Sequence, residues 1–540
     1  EIITSASTTG QILDPALPAK FRPFLTAGTP LDNPNEITDV AIDPQGLDTI
    51  IASTGGYFAQ YGLTGGLTND VLSGTRGIFG QYIGQEFVGY VGDTSQHSGP
   101  LTVDTTYGNS GDGNVERKIA LCTGYYEKDG VTQNGLWKVL VPVATGDPTG
   151  RPTSEQYSQI GKTISHYQDQ DDSGNNHRCG IKLSDDGTYV AAGNPNYKDP
   201  DTGHTIGAVY VYRQVEPWTT ASGNAYYLDS WRLVGTFTGH PEADELLGLD
   251  GTFDFGGLRK IFENGDISRE EVVRLAIRNK ALGHASVWEL DRFYTGDPFW
   301  IDNDLPEQEL YWNYSWNLVG EKTDDTGAKY SFDCGTGIVG ITLSLSGNQM
   351  VCSTNTDADG DGFNEASFKV AFYDEVNDEW TDSTTKFLSP NNDRSEVSFT
   401  AENNVATSHT YSSNSRSIHT GGADAPLITQ NGKRLAFSYD YGNTDVWYWN
   451  DFAYNKQLGN DINYYSQRHL PLNLDLEFEL GEAGNESAWH TDMSDDGKVI
   501  IKVRKNPLGT SASGPMEGAW YRLLVRGDNM DSWTGYREDL

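Results

Sequence analysis

Read as a string of apolar and polar positions, the chain repeats one phrase. Its clearest copy begins Gly180-Ile181-Lys182-Leu183, turns through Ser184-Asp185-Asp186-Gly187, and continues as the apolar run Tyr189-Val190-Ala191-Ala192-Gly193. After a polar loop come the alternating run Gly207-Ala208-Val209-Tyr210-Val211-Tyr212-Arg213 and the segment Trp231-Arg232-Leu233-Val234-Gly235. Alternation with period two predicts half-buried strands, a short continuous apolar run predicts a strand covered on both faces, and Asp-Gly predicts a tight hairpin turn. Four such strands make one antiparallel sheet.

The turn recurs with Gly at positions 46, 113, 187, 265, 347, 432 and 497, at intervals of roughly 65–85 residues that mark an internal repeat. Behind these turns stand Ile50-Ile51-Ala52, Ile119-Ala120-Leu121, Val272-Val273-Arg274-Leu275-Ala276, Met350-Val351-Cys352, Leu435-Ala436-Phe437 and Val499-Ile500-Ile501. A Trp opens or enters the fourth strand at Trp231, Trp316, Trp380 and Trp533. One sheet of this size cannot bury both its faces, whereas sheets stacked radially around an axis cover one another. The expected fold is all-β, a seven-bladed β-propeller of four-stranded antiparallel blades over 37–540. The approximate blades are 37–100, 101–170, 171–240, 241–322, 323–390, 391–478 and 479–540. The one helical candidate is 268–279, where Ser268 suits a cap and Glu270-Glu271 a first turn. Val272, Val273, Leu275 and Ile277 fit a strand equally, and the repeat register favours strand for the second half. Residues 1–36, with Pro15, Pro18, Pro23, Pro30 and Pro34, read as an irregular arm. Either it closes the ring through Phe21-Arg22-Pro23-Phe24-Leu25 or it trails as an extended tail.

The run from Cys179-Gly180 through Ser184-Asp185-Asp186-Gly187, Ala192-Gly193-Asn194-Pro195, Gly207 to Tyr212 and Trp231 resembles the FG-GAP repeats of integrin-alpha-type propellers. It also resembles the looser versions found in marine microbes, algae and their viruses. Phe255-Gly256-Gly257-Leu258 with Glu263-Asn264-Gly265 repeats the opening of that pattern. The resemblance implies a propeller fold and an adhesive or scaffolding habit, and it implies no reaction.

Composition narrows the partners. The formal charge is −38, from 76 Asp+Glu against 38 Lys+Arg, and such a surface lacks the basic footprint that nucleic acid requires. No run approaches the length of apolar sequence a membrane helix needs. The start at Glu1-Ile2-Ile3-Thr4, without Met, is expected of a processed product and equally of a trimmed chain. The 61 Gly exceed a typical share of about 7% and are dispersed, as turn punctuation would be. Cys122, Cys179, Cys334 and Cys352 form no CxxC motif, which leaves buried free thiols and one or two bridges as open alternatives.

The sharpest chemical motif is Asp357-Ala358-Asp359-Gly360-Asp361-Gly362-Phe363-Asn364-Glu365. Carboxylates of Asp357, Asp359 and Asp361 at alternate positions, a Gly for the sharp turn, the Phe363 carbonyl and a closing Glu365 can wrap oxygen ligands around Ca2+. Weaker sets for the same ion are Asp169, Asp171 and Ser173, and Asn194, Asn196, Asp199 and Asp201. Glu242, Asp244 and Glu245 read as a solvated acidic face.

Enzyme signatures are absent: no nucleophile elbow, no phosphate loop with Lys, no His-Glu-x-x-His. His409, His419, His469 and His490 are scattered, and the Ser-Asp-Asp-Gly hairpins lack the Trp that a sialidase Asp-box requires. Trp447, Tyr448 and Trp449, and Trp312, Tyr314 and Trp316, read first as packing between blades and otherwise as a stacking platform for sugars. Together these features predict a non-enzymatic, calcium-stabilised extracellular structural or adhesion propeller at a cell or virion surface. Its expected partners are protein subunits of a larger assembly or surface glycans. The alternative is a secreted carbohydrate-binding or carbohydrate-active propeller, which acids lining the axis would favour and an apolar plug would disfavour.

Overall fold

The computed structural model describes the strands named below, together with 37–44, 179–215, 231–241, 245–263, 266–294, 312–356 and 365–388. The arm 1–36 lies outside the described residues. Seven sheets of four or more strands follow one another along the chain. Each holds its strands mostly in sequence order and pairs them antiparallel, as short hairpin connections require.

The first sheet comprises Ile37–Ile42, Asp48–Ser53, Tyr57–Leu63 and Ile78–Glu86. The second is built on Leu101–Asn109, Val115–Lys128, Val131–Pro142 and Tyr157–Ile164. The third holds Ile181–Leu183, Tyr189–Asn194, Ala208–Gln214 and Trp231–Thr238. Phe253–Glu263, Asp266–Asn279, His284–Tyr294 and Trp312–Leu318 make the fourth, with Phe332–Asp333 added beside its third strand. The fifth is Ile338–Leu343, Gln349–Thr356, Glu365–Asp374 and Glu379–Leu388. The sixth is Leu427–Ile428, Arg434–Tyr439, Asn443–Trp449 and Tyr454–Lys456. The seventh is His490–Met493, Val499–Lys505, Ala519–Arg526 and Trp533–Asp539.

The helical candidate at 268–279 is strand throughout, inside Asp266–Asn279. Its partner Phe253–Glu263 pairs with it from Phe253↔Ile277 to Glu263↔Asp266. That long ladder, and the burial of Val272, Val273, Leu275 and Ile277, outweigh the local capping signal at Ser268.

The polar turn is reproduced closely from sheet to sheet. Gly187, Gly347 and Gly497 donate their N–H groups to the carbonyls of Ser184, Ser344 and Ser494 at 2.7, 2.8 and 2.7 Å. Their φ angles of 62°, 66° and 64° lie in the left-handed region where Gly carries no Cβ penalty. Ser184 Oγ and Ser494 Oγ accept the N–H groups of Tyr189 and Val499. These hairpins are structural turns.

Sheets lie side by side, with the first strand of each touching the first strand of the next, and that of the seventh touching that of the first. The first strands therefore converge on one axis, which makes the architecture propeller-like. Apolar clusters fill the spaces between neighbours. Tyr189, Val209 and Val211 of the third sheet pack with Phe253, Leu275 and Ile277 of the fourth. The Trp-led outer strands stitch the rim. Trp231 Nε1 donates to Ile160 O at 3.0 Å, Trp316 Nε1 to Val234 O at 2.9 Å, and Trp380 Nε1 to Val319 O at 3.2 Å, each reaching back one sheet. Trp316 also packs edge-on against Phe237 at 5.3 Å, so packing between neighbouring sheets is its role. Trp316→Phe keeps most of the buried ring and removes one donor, so it should lower stability by about 1 kcal/mol, read from the urea midpoint.

Both cysteine pairs are bridged, Cys122 to Cys179 and Cys334 to Cys352. Cys122 sits in the second sheet and Cys179 leads into the third. Cys334 follows the strand added to the fourth sheet, and Cys352 lies in the fifth. Each bridge joins neighbouring sheets.

Candidate functional site

The first strands bring charged side chains to the axis. Cross-strand register equates Ala41 opposite Ile50, Asp104 opposite Ala120, Lys182 opposite Ala191, Asp254 opposite Ala276, Thr342 opposite Val351 and Asp492 opposite Ile501. Buried apolar residues flank this position on both sides, for example Ile181 and Leu183 or Phe253 and Phe255. Asp104, Lys182, Asp254 and Asp492 are enclosed by protein yet keep some accessible surface.

Each of these carboxylates spends both oxygens on backbone donors. Asp104 Oδ1 accepts from Thr105 N at 3.0 Å and Oδ2 from Leu183 N at 2.6 Å. Asp254 Oδ1 accepts from Phe255 N at 3.0 Å, and its Oδ2 from Leu343 N at 2.9 Å and Thr342 Oγ1 at 2.7 Å. Asp492 Oδ1 accepts from Met493 N at 2.8 Å and Oδ2 from Ile42 N at 2.7 Å. Each clasp therefore ties one sheet to the residue just after the axial position of the next sheet: second to third, fourth to fifth, and seventh to first. The contact between Asp492 and Ile42, 450 residues apart in sequence, is an ordinary member of that series. Asp39 makes a shifted version, holding Val40 N and Val103 N at 2.8 Å each.

Enclosure sets the electrostatics. Burial pushes the Asp104 carboxyl up to about 6 against the pull of Lys182 and of the Leu183 N–H. It pushes Asp492 up to about 7 against the Ile42 N–H and Lys182, and it raises Asp254 as well. Burial alone would lower Lys182, but Asp104, Asp250, Asp254 and Asp492 more than reverse it and hold its ammonium well above the ordinary lysine range.

A second set of cations pins neighbouring turns. Lys118 and Arg274 both stand two residues before the partner of the axial position, as Ala120 and Ala276 show. Lys118 Nζ donates to Gly187 O at 2.8 Å, and Arg274 Nη1 donates to Gly347 O at 2.9 Å. Each thus reaches the turn Gly of the following sheet. Burial lowers the Lys118 ammonium to about 8, with Asp186 opposing.

No protein-family model matches the sequence, and no curated protein matches it. Solved structures do. KlHsv2 with loop 6CD replaced by a Gly-Ser linker is 11% identical, with a TM-score of 0.36, over 93% of this chain and 98% of that one. Hsv2 of Kluyvelomyces marxianus is 12% identical, with a TM-score of 0.35, over 94% of this chain and 99% of that one. The propeller-like architecture is read from this chain's own strand pairing and sheet contacts.

The expected calcium ligands are placed as follows. Asp357, Asp359, Asp361 and Phe363 lie outside the described residues, between Thr356 and Glu365, which pair at the ends of a hairpin. Asp169, Asp171 and Ser173 also lie outside them. Asn194 and Asn196 are buried to 2% and 5% exposure, and Asn194 Oδ1 accepts the Asn196 N–H at 3.2 Å. Asp199 is half-buried and Asp201 exposed in the adjoining turn, where Asp199 takes Thr202 Oγ1 at 2.7 Å. Among the described residues no three His, Cys, Asp or Glu side chains gather as a metal site. Glu245, expected on a solvated face, is instead 2% exposed. Its Oε1 accepts Ala281 N at 2.9 Å, and Arg278 Nη2 donates to its carbonyl at 3.2 Å.

Sequence reading missed the axial charges and the Lys118 and Arg274 pins. The signal was present: a charged residue between two buried neighbours in a first strand, as in Val103-Asp104-Thr105, Ile181-Lys182-Leu183 and Phe253-Asp254-Phe255.

Proposed function

We propose that the seven sheets are the blades of one closed ring and that the chain is a non-enzymatic structural or adhesion propeller working outside the cell, at a cell or virion surface. The observation that carries this reading is the use of the axial carboxylates. Asp104, Asp254 and Asp492 give both oxygens to backbone N–H groups of their own and the next sheet, so the charges at the centre serve the architecture. Two disulfides between sheets suit an oxidising compartment. The FG-GAP-like pattern is supported by close backbone approach, since a Cβ on Gly193 would lie 2.0 Å from Gly248 O. Among the described residues no helix is long and apolar enough to cross a membrane, and a charge of −38 disfavours nucleic acid.

Partners of this reading are protein subunits of a larger assembly or surface glycans. Electron microscopy of native material tests it: a lattice, filament or particle-bound array supports a structural role, and an isolated monomer in every preparation contradicts it. Calcium in the 357–365 loop belongs to the same proposal. Chelation should lower the melting temperature, and an unchanged curve with no metal by elemental analysis refutes the site.

A carbohydrate-active reading is favoured by one observation, the partial exposure of Asp104, Asp254 and Asp492 along the axis. Glycan-array binding abolished by Asp254→Asn, in a variant that still folds, would support it.

A further inference from the structure

We propose that the axial charges form a proton-linked latch: proton uptake tightens the joint between the seventh and first sheets, and proton release loosens it. The joint has a distinctive construction. The seventh sheet is formed wholly by 490–539 and the first wholly by 37–86, so among the described residues no exchanged strand links them. Their first strands meet directly, and the Asp492 carboxylate spans the gap to Ile42 N at 2.7 Å.

The groups facing this carboxylate are unbalanced in charge. Lys182 of the third sheet and Asp104 of the second act on it directly, and Asp254 of the fourth acts on both of these. Asp39 of the first sheet is held by Val40 N and Val103 N, and the fifth offers the uncharged Thr342 at the same register position. Leu427–Ile428 of the sixth adds no charge, and Asp250, just before the fourth sheet, also acts on Lys182. One ammonium thus answers several carboxylates in an enclosed space, where like charges cannot all ionise without cost. Opening the seam would hydrate these groups and return them toward ordinary acidity. Since burial raises Asp492, Asp104 and Asp254, the closed form binds protons more tightly than the open one. Their contribution to closure is fullest below the ordinary carboxylate pKa, and it is lost as pH rises through about 6 for Asp104 and about 7 for Asp492.

The test is amide hydrogen exchange on the full chain at about pH 5.5 and about pH 7.5, corrected for intrinsic exchange, in about 0.5 M salt to screen surface charge. Protection in Ile37–Ile42 and His490–Met493 should fall by about tenfold or more between the two conditions, with a smaller change in Ala208–Gln214. Asp492→Asn removes the titrating group, at the cost of one of the two acceptors for Met493 N and Ile42 N, and should remove most of that change. If it fails to fold, Asp104→Asn should reduce the change for the same reason. Protection that is constant or rises with pH, an equal change in Ala208–Gln214, or a full change surviving in the Asn variant would overturn the latch.

Discussion

Lys182→Met should destabilise the folded chain by about 3–5 kcal/mol at neutral pH, because breaking a buried charge set by removing one partner leaves the others uncompensated. The half-burial of Lys182 and its carboxylates places the effect toward the lower end of that range. Lys182 is the cation that the axial carboxylates Asp104, Asp254 and Asp492 share. Methionine keeps the length of the stem and removes the charge, so lost packing contributes little. The penalty should shrink as pH falls, since those carboxyls take up protons and the need for a counter-charge fades. Lys182→Arg should recover much of the loss. Denaturant unfolding at two pH values measures all three, and a loss below about 1 kcal/mol for Lys182→Met would show that the charges are solvated too well to need one another.

Loss of the Cys122–Cys179 bridge should cost about 4 kcal/mol and loss of Cys334–Cys352 about 3 kcal/mol, from the chain entropy of loops closed over separations of 57 and 18 residues. All four cysteines are at most 1% exposed, so reductant should act slowly on the folded chain and quickly once it opens. Paired Cys→Ser variants of each bridge, compared by calorimetry, give the ranking. Equal melting temperatures for both variants and the parent would mean the thiols are not joined, and would remove one support for an extracellular setting.

Much of the fold was legible because it is carried by local pattern. Ser184-Asp185-Asp186-Gly187 is a turn by its own chemistry, and Tyr189 to Gly193 is a strand by its continuous apolar run. Trp231, Trp316 and Trp380 repeat because each indole spans to the preceding sheet. The segment 268–279 was ambiguous because capping and strand propensity compete locally, and only pairing with Phe253–Glu263 decides between them. The axis was illegible for a different reason. Asp104, Lys182, Asp254 and Asp492 stand far apart in sequence, each in a different first strand, and they become a site only when the strands converge. Glu245 was misplaced because an acidic run reads as solvated unless its buried partners, Ala281 N and Arg278, are known.

Ring closure depends on the joint between the seventh and first sheets, so the decisive measurement is electron microscopy of the purified chain viewed along the axis. Closed discs of seven spokes, with density continuous between the sheet that begins at Ile37 and the one that begins at His490, are the predicted result. An open arc, a different number of spokes, or first and last sheets lying apart would contradict it.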